Sequence, residues 1–234
     1  MCAVDALRLP DLPPGEARRT ALDYARQRIR KRQPGWAYAR VKRLLDIAAV
    51  LVAAPVALPV GLVIALLVKL QDGGPVLFVQ ARVGRGGRTF GMMKFRTMCV
   101  DAEARKEELR HLSIEPWPAF KIPDDPRVTR LGRILRRTYL DELPQLVNVL
   151  RGQMSIVGPR PFSFPASTYR LWQTERFDAP PGITGLWQVR RDYQEAALDE
   201  RLRIDLEYLA SRRIRADIGI VVLTAVRLVR RDGR

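Results

Sequence analysis

Asp141 and Glu142 are neighbouring carboxylates inside the stretch TYLDELPQLVNVLRGQMSIVGPRP, residues 138–161. Arg133, Arg136 and Arg137 precede them, and Arg160 follows in a Gly-Pro-Arg-Pro turn. A carboxylate pair surrounded by guanidiniums suits an anionic, phosphate-bearing substrate, because the planar donor fork of arginine matches phosphate oxygens. The same residues also read as an acidic first turn with solvated arginines, and local chemistry alone leaves both open. Leu143, Leu146, Val147, Val149 and Leu150 recur at helical spacing, which predicts a helix with one buried face. Thr138 and Asp141 have capping-box spacing, Pro144 suits a first turn, and Gly152 marks a stop. The pair is thereby expected at the positive end of a helix, which favours the ionised form.

The elements that must carry these groups are legible along the chain. With 234 residues, one domain with one main core is expected. Lys and Arg number 41 against 25 Asp and Glu, a formal charge of +16. Such a balance calls for an acidic partner: nucleic acid, anionic lipid or a phosphorylated substrate. Cys2 and Cys99 make no disulfide framework and no metal spacing, which fits a cytoplasmic site. His111 is the single histidine, so a His-based metal cluster or a Ser-His-Asp triad lacks material, and it reads as a surface residue.

Residues 1–38 are read as a basic N-terminal arm without a signal-peptide core, followed by one domain over 39–234. From Ile47 to Val68 no charge occurs, and basic residues flank both ends. A helix of about 22 residues reaches about 33 Å, enough to cross a bilayer. Pro55 and Pro59 fall near its middle, however, and each removes a backbone donor. With positive charge at both ends, orientation rules favour neither direction. A bent, re-entrant membrane helix over about 44–70 satisfies both features. Val76–Val83 and Arg88–Met98 read as strands around a glycine turn lacking the Lys-Ser/Thr of a P-loop. Alternation places Lys94 and Arg96 on one face and Phe95 and Thr97 on the other. Residues 101–110 are expected to form an exposed charged helix. Asp125-Pro126 is expected to start the next helix, with Arg130, Arg133 and Arg137 on one face. Ile214–Val229 reads as a basic amphipathic helix of the bilayer interface, or as a core helix.

Residues 138–161 resemble the signature block of the bacterial sugar transferases, monotopic phosphoglycosyl transferases that initiate lipid-linked glycan assembly. The resemblance extends in order through Lys42-Arg43-Leu44-Leu45-Asp46, Gly74-Pro75-Val76-Leu77-Phe78, Lys94-Phe95-Arg96-Thr97-Met98, residues 125–132 and residues 181–189. It implies an α+β, mainly helical fold: a compact cytoplasmic-face domain with a proline-broken re-entrant helix, a small β-hairpin and an interfacial amphipathic helix. It implies a UDP-sugar donor and a polyprenol phosphate acceptor, with undecaprenyl phosphate expected, at the bacterial inner membrane. An anionic phospholipid membrane is the implied partner rather than nucleic acid, and a homodimer is compatible. Asp141 would be the nucleophile, with Mg²⁺ held by Asp141 and Glu142. Lys94, Arg96, Arg136, Arg137, Arg160 and Gln188 would contact substrate or phosphate, Arg136 matching the family position better than Arg137. Pro59 falls at the helix-breaking proline, although Leu58 stands where a serine commonly precedes it. The chain also departs at Arg190-Arg191-Asp192, where a small polar residue and Gly-Arg are usual; Arg190 or Arg191 would replace that arginine. A non-catalytic, basic membrane-attached module remains the alternative, but it gives no role to an acidic pair inside an arginine ring.

Overall fold

The computed structural model describes residues 35–114, 120, 122–162, 169–190 and 198–230. The arm read over 1–38 lies almost wholly outside these residues, as does Arg191. The described chain is mostly helical. Its longest element is α1 (Trp36–Asp72), a 37-residue helix. An antiparallel pair follows, β1 (Leu77–Val83) and β2 (Thr89–Phe95), with Leu77 opposite Phe95 and Val83 opposite Thr89. Next come α2 (Arg130–Arg137) and α3 (Gln145–Leu150), then the short parallel pair β3 (Ser155–Val157) and β4 (Gly182–Thr184). Three helices complete the order: α4 (Leu186–Val189), α5 (Leu198–Ala210) and α6 (Ile214–Arg230).

Helix α1 is long and apolar enough to cross a membrane. It begins earlier and ends later than the apolar run suggests, and it is one continuous helix through Pro55 and Pro59. Each proline leaves the carbonyl four residues earlier without an intrahelical donor. Only one stripe of the helix meets protein: Asp46, Val50, Ile64 and Val68 are buried at helical spacing. Leu51, Val52, Val56, Leu58, Leu62 and Val63 point away from the domain and are exposed.

The domain grips both halves of this helix. Val50 packs with Phe90, Met92, Val149 and Met154, while Ile64 and Val68 pack with Phe95 and Leu135. Polar groups latch both ends. Arg43 donates to the Val149 and Leu150 carbonyls at 2.5 and 2.6 Å, at the end of α3. Asp46 accepts from Ser155 Oγ at 3.1 Å and the Ile156 amide at 3.0 Å. Lys42 Nζ lies 3.1 Å from Asp217 of α6, whose carboxylate also accepts from Tyr38 and Tyr208. At the far end, Asp72 pairs with Arg96 through both guanidinium nitrogens.

Several local expectations are corrected. Helix α2 starts at Arg130, not at Asp125-Pro126, because Thr129 is its cap and accepts from the Gly132 amide at 2.9 Å. Asp125 instead holds Arg127 at 2.9 and 2.7 Å. Ile134 is exposed, whereas Leu135 is buried. Gly132 brings α2 against the segment after β2; a Cβ there would overlap the Thr97 carbonyl. Residues 101–112 form turns and short 3-10 segments rather than a charged α-helix, with Ala102 and Leu109 turned inward.

Candidate active site

Thr138 does not begin the helix that carries the acidic pair. It ends α2, donating to the Ile134 carbonyl at 2.8 Å. Tyr139 then takes a left-handed conformation (φ 57°), which no other non-glycine residue adopts among those described. That reversal stops α2 and throws the next residues into a single 3-10 turn, Leu140–Glu142. The carboxylates therefore sit ahead of α3 rather than in its first turn, and α3 is only six residues long. Its buried face is polar as well as apolar. Gln145, Asn148 and Val149 point inward, whereas Val147 and Leu150 are exposed.

Asn148 explains the polar choice. Its amide donates to the Gly91 carbonyl at 2.8 Å and accepts from the Met93 amide at 3.0 Å. Those are backbone groups of β2, so Asn148 fixes the strand that presents Lys94 against the turn that presents Asp141 and Glu142. Lys94 Nζ lies 2.8 Å from Glu142 Oε1 and 3.9 Å from Asp141 Oδ2. Arg160 reaches the same Glu142 oxygen at 3.0 Å.

The turn carrying Arg160 is held from four directions. The Gly158 amide donates to Thr184 O and the Gly182 amide to Pro159 O, both at 2.9 Å. A Cβ on Gly182 would collide with the Gly158 backbone, so this crossing requires glycine. Arg176 donates to the Arg160 carbonyl, and Arg82 to the Pro161 carbonyl at 3.2 Å. Arg176 is itself buried, paired with Asp205 at 2.8 Å and stacked 4.4 Å from the Phe162 ring.

These groups open into a cavity of about 420 Å³. Of the residues read from the sequence, Lys94, Arg96, Arg136, Asp141, Glu142 and Arg160 all line it. Strand alternation does not sort them as expected. The chain leaves the sheet after Phe95, and Thr97 also reaches the cavity, where its hydroxyl accepts from Arg136 Nε at 2.9 Å. The Arg96 fork is occupied by Asp72, so this arginine is also a strut between α1 and the cavity wall. Arg137 is exposed and does not line the cavity. Arg190 pairs with Glu207 at 2.9 and 2.8 Å, away from the cavity. Gln188 lines a different, apolar hollow. Arg82, Asn148 and Arg176 were not singled out in the sequence. Of these, only Arg82 had a visible signal: it alternates with Gln80 on a predicted strand.

The two carboxylates experience opposite environments. Burial raises Asp141 above the ordinary carboxyl range; Lys94 opposes that rise, and the charge of Glu142 adds to it. Burial also acts to raise Glu142, but the charges of Arg160 and Lys94 and their hydrogen bonds outweigh it and bring the group down to about 2. Glu142 is thus a fixed anion that anchors two cations, while Asp141 is a desolvated carboxylate with its Oδ2 beside Lys94. Burial, together with neighbouring Arg160, lowers Arg82 to about 10.

A desolvated carboxylate beside an anchored cation pair, on a domain docked along an apolar helix, suits an anionic, phosphate-bearing ligand. The chain belongs to the bacterial sugar transferase family, whose model matches residues 37–231. It is 40% identical over 184 residues to the galactosyl transferase CpsE of Streptococcus agalactiae, covering 78% of this chain and 41% of that protein. It is 40% identical over 190 residues to the exopolysaccharide production protein ExoY of Rhizobium meliloti, covering 78% and 83%. Against the UDP-glucose:undecaprenyl-phosphate glucose-1-phosphate transferase of Caulobacter vibrioides it is 39% identical over 213 residues, covering 86% and 76%. The chain thus spans less than half of some relatives and most of others.

Proposed function

We propose that this chain transfers a sugar-1-phosphate from a UDP-sugar to a membrane polyprenol phosphate, undecaprenyl phosphate being the expected acceptor. The products are UMP and a polyprenyl-diphosphate sugar, the first intermediate of a lipid-linked glycan. The observation that carries this reading is the unequal acidic pair. Asp141 is buried and raised, and Glu142 is held ionised by Lys94 and Arg160 in the same cavity.

In the first step an Asp141 oxygen attacks the phosphorus bearing the sugar, and the bond to the UMP oxygen breaks. UMP leaves with that electron pair, and the sugar phosphate remains on the carboxyl as an acyl phosphate. In the second step an oxygen of the acceptor phosphate attacks the same phosphorus, and the Asp141 carboxylate is released. Phosphoryl transfer needs mainly positioning and neutralisation of oxygen charge. Lys94, Arg136 and Arg160 line the cavity as cations for that purpose. Glu142 orients two of them rather than reacting itself.

Mg²⁺ belongs to this proposal. Among the described residues, no group of three or more His, Cys, Asp or Glu side chains forms a cage. Asp141 and Glu142 would hold Mg²⁺ as two carboxylate ligands, its remaining positions being filled by water and substrate oxygens, a common arrangement for this ion. Bound there, it would neutralise phosphoryl charge.

Membrane attachment is the second part of the reading. Helix α1 exposes most of its apolar surface, a patch far beyond what a soluble monomer carries. Both of its ends are latched to one charged domain, which supports a re-entrant course with both ends on the cytoplasmic face of the inner membrane. Outward-facing Ile218, Val222 and Leu223 of α6 support an interfacial position for that helix.

The test is intact mass after incubation with a panel of UDP-sugars and Mg²⁺ without acceptor, beside Asp141→Asn. A phosphosugar adduct in the parent and none in the variant supports covalent transfer and names the sugar. UMP release only when acceptor is added, with no adduct, would refute the covalent step. No UMP from any donor with acceptor and Mg²⁺ present would refute the transferase reading.

A further inference from the structure

A second hollow of about 210 Å³ adjoins the polar cavity and shares Tyr139 and Glu142 with it. Its other walls are chemically unlike those of the first. Leu143, Leu146, Ile183, Val189 and Leu228 supply mostly apolar surface, and Arg227 stands at the side. Arg227 donates to the Gln188 carbonyl at 2.7 Å, tying α6 to α4 beside the hollow. The Gln188 side-chain oxygen is buried there without a hydrogen-bond partner. The wall between the two spaces is Tyr139, held in the left-handed conformation that a non-glycine residue adopts only at a cost. An apolar space that opens beside Glu142 has no use for a nucleotide or a sugar, both of which would leave hydroxyls unpaired in it.

We propose that this hollow receives the isoprenoid segment next to the acceptor phosphate, so that the phosphate emerges past Tyr139 beside Glu142 and Asp141. The proposal rests on the transferase reading above and adds to it the place where the lipid is recognised. Three features commit the occupant to a hydrocarbon chain bearing an anionic head. The walls are apolar, and the hollow shares Tyr139 and Glu142 with the cavity lined by Lys94, Arg136 and Arg160. The outer surface of α6 exposes Val221, Val222 and Leu223, the same apolar character a chain leaving a bilayer would travel along. A bilayer acyl chain shares the hydrocarbon chemistry, but it carries no terminal phosphate to present to Asp141.

Thr224 of α6 points into the hollow, its hydroxyl 2.8 Å from that of Thr184. Thr224→Phe should fill the space, and Leu228→Trp should obstruct it from a more exposed position. The assay titrates geranyl, farnesyl and undecaprenyl phosphate against a saturating UDP-sugar, the one active in the donor panel. In the parent, KM should fall as the chain lengthens enough to occupy the hollow. In either folded variant, KM for undecaprenyl phosphate should rise about tenfold, the change expected when about two methylene groups lose their burial. The UDP-sugar KM should stay within about twofold. Unchanged acceptor KM and an unchanged chain-length dependence in both variants would overturn the proposal, as would an equal rise in donor and acceptor KM. No transfer by the parent to any acceptor would instead refute the transferase reading, and this inference with it. Circular dichroism identifies a variant that fails to fold, in which case the other variant decides.

Discussion

Glu142→Gln separates an anchoring carboxylate from the proposed nucleophile, Asp141. The Glu142 side chain is 11% exposed and accepts from Lys94 at 2.8 Å and Arg160 at 3.0 Å. Burial alone would raise it, but the two cations carry it from 4.5 to about 2. A displacement of that size corresponds to about 3 kcal/mol in favour of the folded, ionised state. The sign is that of a depressed acid. The contribution is complete above the unfolded value near 4.5 and is lost as pH falls towards 2. Asp141 acts in the opposite sense. Its folded value is raised, so the folded protein keeps that proton to higher pH than the unfolded chain, and its ionisation costs stability as pH rises. The charge of Glu142 is one cause of that rise, so the substitution also relieves part of the cost. The net expectation at pH 7 is a loss of about 2 kcal/mol, since the amide still accepts a hydrogen bond and Asp141 is relaxed. Denaturant unfolding in detergent micelles, repeated from pH 7 to pH 2, measures it. The gap between parent and variant should close as the parent's Glu142 protonates. Parallel curves across that range, or a variant as stable as the parent at pH 7, would refute the assignment of Glu142 as the ionised anchor.

Two further outcomes follow from the same geometry. Because burial raises Asp141, the acid limb of kcat/KM should lie above the ordinary carboxyl range and move to lower pH in Glu142→Gln, where the neighbouring negative charge is gone. A limb that does not move would separate the rate-controlling ionisation from Asp141. Asn148→Leu leaves the Gly91 carbonyl and the Met93 amide without their buried partner, so a loss of about 3 kcal/mol is expected by thermal or denaturant unfolding. It should also lower the transfer rate by loosening Lys94, and a variant with parental stability would refute the strut.

Local chemistry was enough to pick out Asp141 and Glu142, because adjacent acids in a basic stretch are visible without coordinates. The apolar run around Pro55 and Pro59 was equally plain, as were the paired strands and the helix read over Ile214–Val229, which the structure places at Ile214–Arg230. Order along the chain also carried the family resemblance, which the match over 37–231 bears out. Other readings failed where a local rule had a competitor. Thr138 has capping spacing, yet it serves the end of α2 because Tyr139 reverses the backbone. Asp125-Pro126 has the chemistry of a helix start, yet Asp125 holds Arg127 and Thr129 caps α2 instead.

The amino-acid sequence by itself determined the acidic pair, the apolar helix and the excess of positive charge, since these depend on residue type and short-range spacing. Only the tertiary structure decided which cations meet the acids. Lys94 lies 48 positions from Glu142 and Arg160 lies 18 away, and no local period connects them. Likewise Asn148 meets β2 across 55 and 57 positions, and Asp72 claims Arg96 across 24. Folding sets the unequal ionisation of Asp141 and Glu142 as well. Side by side in the chain they have nearly the same intrinsic acidity, and only burial and the positions of two distant cations drive them apart.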